Sequence, residues 1–194
     1  MHYFLIFFFL LCAPITAQLR EPPAAFTIAR LKYGGGGDWY NGPTEIPNLL
    51  AFIRTHTPIH TTDQEAHVEL TDKNLFAYPI IFLTGHGNIR LNEEEVRRLR
   101  IYLERGGFLF ANDDYGLDKA FRREIERVFP DKKLVRLPPS FDLFRSPFHF
   151  PQGLPKIHEH DGDPPQAFGL FHEGRMVIFY NFSSDIADGW DDPD

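Results

Sequence analysis

Residues 79–130, PIIFLTGHGNIRLNEEEVRRLRIYLERGGFLFANDDYGLDKAFRREIERVFP, carry the pattern that decides the fold. Pro79 to Thr84 is a continuous apolar run, as expected of a strand buried on both faces of a parallel sheet. Asn92, with Glu95 three residues on, makes a capping-box start in which Asn replaces the usual Ser or Thr. Val96, Leu99, Tyr102 and Leu103 then recur at helical spacing, and Gly106 supplies a C-cap. Phe108 to Ala111 reads as a second short buried strand. The helix that follows turns Phe121, Ile125 and Val128 inward, and Pro130 closes it. Strand–helix alternation with short connections implies βαβ units, a parallel sheet and right-handed crossovers.

Toward the N-terminus, Phe26 to Tyr33 alternates as a first strand and is broken by Gly34-Gly35-Gly36-Gly37. Thr44 is a candidate N-cap for a helix to about His56, with Ile46, Leu49, Leu50 and Ile53 on one face. His67 to Leu70 is a short strand candidate. Toward the C-terminus the character changes after Leu134 to Leu137. Pro138 to Pro165 is rich in Pro, Phe and His without periodicity, and predicts an irregular arm packed on the domain. Phe168 to His172 and Met176 to Tyr180 flank Glu173-Gly174-Arg175, a hairpin signal. The expected architecture is α/β: a parallel sheet flanked by helices, the arm, and a C-terminal hairpin.

A chain of 194 residues suits one domain, and a net charge of −7 argues against a general nucleic-acid binder. The basic clusters Arg97-Arg98-Leu99-Arg100 and Arg122-Arg123 alternate with acids at helical spacing, as a solvated helix face does. Phe4 to Leu11 is an unbroken apolar run too short to span a bilayer, followed by Ile15-Thr16-Ala17 as a small-residue cleavage site. Residues 1–17 are therefore expected to be a signal peptide and 18–25 a linker, with 26–194 a single domain that is exported to the periplasm or beyond. No Lys or Arg precedes the run, and an uncleaved membrane anchor is the alternative. Cys12 is the sole cysteine, so the mature protein would hold neither a disulfide nor a thiol nucleophile.

Ligands of an open parallel sheet bind outside the carboxyl ends of its strands. Unusual loops follow three of the expected strands: Gly34 to Asn41, Gly85-His86-Gly87-Asn88 and Asn112-Asp113-Asp114-Tyr115. Gly35, Gly36, Asp38, Trp39, His86, Asn88, Asp113 and Asp114 are the candidate ligand-binding residues. The glycines either permit tight backbone geometry or cradle an anion, and no GxxxxGK[ST] or GxGxxG pattern supports a nucleotide. His86 either occupies a turn or presents an accessible imidazole, while Asp113 and Asp114 either cap the next helix or act on a metal or proton. His158 and His160 share one face of an extended segment and are candidate ligands for a divalent metal such as zinc. Asp185, Asp188, Asp191 and Asp192 read best as a solvated acidic tail. Serine hydrolase chemistry lacks a GxSxG elbow.

The blocks FTIARLKYGGGGDWY (26–40), FLTGHG (82–87), GGFLFANDDY (106–115), GLPKIHEHDG (153–162) and DGWDD (188–192) together resemble the bacterial domain of unknown function 4159 family. The resemblance implies an exported or membrane-associated bacterial protein of flavodoxin-like fold, similar to class I glutamine amidotransferases. It carries no established activity, so it assigns no catalytic residue. Members of the family continue past the DGWDD block into a further helix, so the chain is expected to be a fragment or to have lost a helix that covers the sheet. An amidotransferase needs a Cys at the elbow after a strand, and Gly85-His86-Gly87, the nearest such turn, offers imidazole instead. The leading expectation is a non-catalytic envelope module that binds a ligand or protein partner through the strand-end loops. The rivals are a metal-assisted hydrolase using His86, Asp113, Asp114 and the His158/His160 pair, and a structural subunit whose Phe-rich arm packs on a partner. Polar clusters that meet in one pocket favour the enzyme; separated clusters favour the module.

Overall fold

The computed structural model describes residues 25–157, 160 and 162–191. The expected signal peptide, all of the linker but Ala25, and His158 lie outside the described residues. Seven strands form one sheet: β1 (Ile28–Lys32), β2 (Ala66–Glu69), β3 (Ile80–Leu83), β4 (Phe108–Asn112), β5 (Val135–Arg136), β6 (Gln166–His172) and β7 (Arg175–Phe182). Their spatial order is β2-β1-β3-β4-β7-β6-β5. The first five in that order run parallel, while β6 is antiparallel to both β7 and β5. Four helices accompany them: α1 (Glu45–His56), α2 (Glu93–Glu104), α3 (Asp118–Val128) and the short α4 (Asp188–Asp191).

Alternation along the strands sorts side chains to two faces. Leu31, Ile81, Leu83, Leu109 and Ile178 meet the inward stripes of α2 and α3, including Val96, Leu99, Leu103, Phe121 and Ile125. Ile28 and Phe82 turn the other way onto Ile46 and Leu50 of α1, with Trp190 of α4 beside them. The arm covers the rest of this face by packing Phe144 and Leu154 on Phe179. Its described residues are irregular apart from a single turn at Asp142–Phe144.

Local signals resolve as their chemistry dictates. The Asn92 capping box at α2 is complete: Asn92 accepts from the Glu95 N–H and Glu95 from the Asn92 N–H. The β6–β7 turn uses Glu173 (φ 49°) and Gly174 (φ 78°), both left-handed as a two-residue hairpin requires. Thr44 does not cap α1; its side chain makes no capping bond, and its hydroxyl reaches the Asp191 carboxylate instead. β7 is more than half of a hairpin, because it also pairs in parallel with β4 and completes the parallel core. Nor do the acids near Trp190 all form a solvated tail: Asp185 is 4% exposed and hydrogen-bonded to Asn112. No described helix is long and apolar enough to cross a membrane.

Candidate functional site

The chain leaves β1 toward β2 on one side and β3 toward β4 on the other, so the sheet order reverses between these two neighbours. A crevice opens at the carboxyl ends of strands at such a point. The loops after β1, β3 and β4 all converge there. Gly34 to Gly37 lies against residues 86–90, with the Gly37 N–H bonded to the Asn88 carbonyl (3.0 Å) and the Arg90 N–H to the Gly34 carbonyl (2.8 Å). A Cβ on Gly35 would come within 2.5 Å of the Arg90 nitrogen, and one on Gly37 within 2.7 Å of the His86 carbonyl. At these two positions glycine serves close backbone approach. Gly36 is open to solvent and has no atom near its absent Cβ.

His86 sits at the centre. Its Nδ1 lies 3.0 Å from Asp38 Oδ2 and 3.2 Å from Asp114 Oδ2, and its backbone N–H donates to Asp38 Oδ1. Burial alone would raise the Asp38 carboxyl, but these His86 hydrogen bonds and the imidazole charge outweigh it and hold Asp38 below the usual range. Asp114, 6% exposed, accepts from Asn41 Nδ2 and lies 3.5 Å from His160 Nε2. The His160 ring stacks on Tyr115 (4.8 Å) and stands edge-on to His86 (6.1 Å). His86, Asp114 and His160 each offer a ligand atom, all within 4.8 Å of one another.

The remaining candidates divide. Asp113 does not join His86; its carboxylate accepts from the Leu117 N–H (2.9 Å) and the Tyr180 hydroxyl (3.2 Å), so it anchors the start of α3. Burial pushes it up to about 6 despite those two bonds. Trp39 turns away from the crevice and packs edge-on to His67, beneath Lys32. Asn88 ties the loops together, donating to the Gly35 carbonyl and accepting from Arg123.

A buried polar layer beneath the crevice went unnoticed in the sequence. Arg30, 1% exposed, donates to Glu65 (2.9 Å), to Glu45 (3.4 Å) and to the carbonyls of Asn41 (2.6 Å) and Gly42 (2.7 Å). It thereby fixes the turn that presents Asn41 to Asp114. Asn112 bridges Thr84 (3.0 Å) and Asp185 (2.8 Å). The available signal for Arg30 was an Arg on the apolar phase of β1, in register with Ile28.

Two of these acids set a pH dependence. Glu45 is pushed up to about 8, chiefly by burial and partly by Asp185 and Asp114, against the opposing pull of Arg30. Asp185 is pushed up to about 7 by burial first, then by the Asp114 carboxylate, against the Asn112 bond. Both folded values exceed the ordinary ones, so the native state holds protons that the unfolded chain releases. The protein should therefore lose stability as pH rises from about 5 to about 8, and regain it on acidification through that window. Asp38, shifted down, acts only below the window. Thermal melts in chelator across that range check this, and a midpoint that rose steadily with pH would contradict it.

With this geometry in hand, the chain can be placed: residues 27–194 match the family model described as Domain of unknown function (DUF4159), and the chain belongs to that family. No curated protein matches it.

Proposed function

We propose that this domain is an exported metal-assisted hydrolase of flavodoxin-like, amidotransferase-like fold. The ion would be one divalent first-row metal, held at the strand ends by His86, Asp114 and His160. The observation that carries the reading is the meeting of two imidazoles and a carboxylate, drawn from three separate segments, at one point. Two His and one carboxylate, with a coordination position left open, is a catalytic rather than structural ligand set. Asp114 lies 3.2 Å from His86 Nδ1 and 3.5 Å from His160 Nε2, close enough for all three to turn toward one ion. Asn41 donates to Asp114, as outer groups orient a ligating carboxylate.

Asp114 and His160 also line a pocket of about 220 Å³, floored by Gly116 and walled by Phe182. That volume lies below the usual small-molecule range, so it suits the reacting end of a substrate rather than a whole one. A bound ion there would lower the pKa of a water and polarise a carbonyl or phosphoryl oxygen. The strand order β2-β1-β3-β4-β7 supports the flavodoxin-like assignment. The apolar run at residues 4–11 supports export, and the lack of cysteine after Cys12 speaks against glutaminase activity.

The test uses envelope-fraction protein, whose N-terminus near Gln18 would verify processing. After chelation, Zn²⁺ or Mn²⁺ should bind one to one and raise the melting temperature, with about 2.7 kcal/mol of stabilisation at a hundredfold excess over Kd. His86→Ala and Asp114→Asn should remove that gain, and ester or phosphate-ester hydrolysis should follow the metal. Wild-type protein that takes up no stoichiometric metal would sink the reading.

A second reading draws on the pairing of His86 with Asp38 and Asp114. These groups satisfy one another without an ion, as a charged lock between loops of a non-catalytic binding module would. In that case the His86→Ala variant would melt lower both with and without metal.

A further inference from the structure

We infer that Lys156 is a positioning residue for the metal site, an inference that rests on the metal reading above. Of the three ligands, His86 and Asp114 stand on turns that directly follow β3 and β4, whereas His160 comes from the irregular arm. An imidazole on such a segment loses its conformational freedom when it ligates, unless the segment is already fixed. The arm is fixed on both sides of His160, and at one place. Lys156 Nζ donates to Ser183 Oγ (2.8 Å) and to the Asp163 carbonyl (2.9 Å). Ser183 Oγ donates to that same Asp163 carbonyl (3.0 Å). The next residues reinforce the join: the Ile157 N–H donates to the Ser184 carbonyl (3.2 Å), and the Ser184 hydroxyl to the Pro155 carbonyl. Four residues before His160 and three after it, the chain therefore meets the loop that follows β7.

That loop is itself unusual. Ser183 (φ 56°) and Asp185 (φ 43°) both adopt left-handed backbone that non-glycine residues avoid, and such strain persists only where surrounding contacts impose it. Its other end, Asp185, accepts from Asn112 Nδ2 (2.8 Å), the last residue of β4. Lys156 thus joins the arm to a segment held against the end of β4, two residues before the central carboxylate. Ser183 is not a nucleophile in this arrangement. An ammonium donates to its oxygen and its own proton points at a carbonyl, the reverse of general-base activation.

The test is Zn²⁺ affinity of the mature chain by calorimetry or competition. Lys156→Met, which keeps the length but removes the donors, should weaken binding about tenfold, the lower end for loss of an outer support. Lys156→Arg should restore part of it, and Ser183→Ala should weaken binding in the same direction. In a His160→Ala background, Lys156→Met should change affinity less than about twofold, because its effect passes through His160. A purely structural role would weaken binding equally in both backgrounds and would overturn the inference, as would wild-type affinity in Lys156→Met and Ser183→Ala. Either result leaves the metal reading standing; wild-type protein that binds no Zn²⁺ would remove both.

Discussion

Arg30→Met should destabilise the domain by about 3–5 kcal/mol, the usual cost of breaking a buried ion pair from one side. Arg30 and Glu45 are almost wholly excluded from solvent, and Glu65 is nearly so. Methionine would fill much of the space beside Phe82, whose ring lies 5.2 Å from the guanidinium. It would leave the Glu65 carboxylate without its cation, and Glu45 and the carbonyls of Asn41 and Gly42 without their donor. The loss should appear in denaturant unfolding as a lower midpoint at unchanged slope. Adding Glu65→Gln to the same chain should recover part of it, since the uncompensated charge would be gone. A change below about 1 kcal/mol would show that the network contributes little.

Gly85→Ala is the second large effect, and it strikes the site as well as the fold. Gly85 has φ +127°, and a Cβ there would lie 2.7 Å from the Tyr33 hydroxyl and 2.8 Å from both the Asp38 carbonyl and its carboxylate. Backbone strain of this kind costs about 1–3 kcal/mol, and the contacts add to it by pushing Asp38 off His86. We expect at least 2 kcal/mol of destabilisation, about the middle of that range, together with loss of metal-dependent stabilisation. Gly116→Ala is the control: its φ is +76° but no atom lies within 4 Å of the new methyl. Only the left-handed penalty remains there, about 1–2 kcal/mol. Equal effects from the two substitutions would show that the space around Gly85 is immaterial.

Much of the architecture was legible because it rests on local periodicity. The apolar run before Gly85, the Asn92 capping box and the stripe on α3 each specify an element without outside help. The placement of the strand-end loops followed from the same reading, since a parallel sheet directs those loops to one edge. What stayed hidden depends on partners distant in sequence. Asp113 and Asp114 are adjacent and chemically identical, yet one anchors α3 and the other faces His86, a choice set by the pleat of β4 and by Tyr180 from β7. Asp185 was hidden among exposed acids because its burial depends on Asn112, seventy-three residues earlier. Arg30 reads as polar in isolation, and only Glu45 and Glu65 explain how its charge is buried.

The position of β7 bears on how the molecule is made. A strand from residues 175–182 fills the place beside β4, so the apolar edge of β4 stays unpaired while the preceding chain emerges. The β2-β1-β3-β4 segment can collapse early, but cooperative closure must wait for contacts of long sequence separation, which fold slowly. Synthesis would thus outrun folding, and the chain would pass through an extended, unlocked period before β7 docks. The same delay makes the open β4 edge the place where a stalled chain would begin to aggregate.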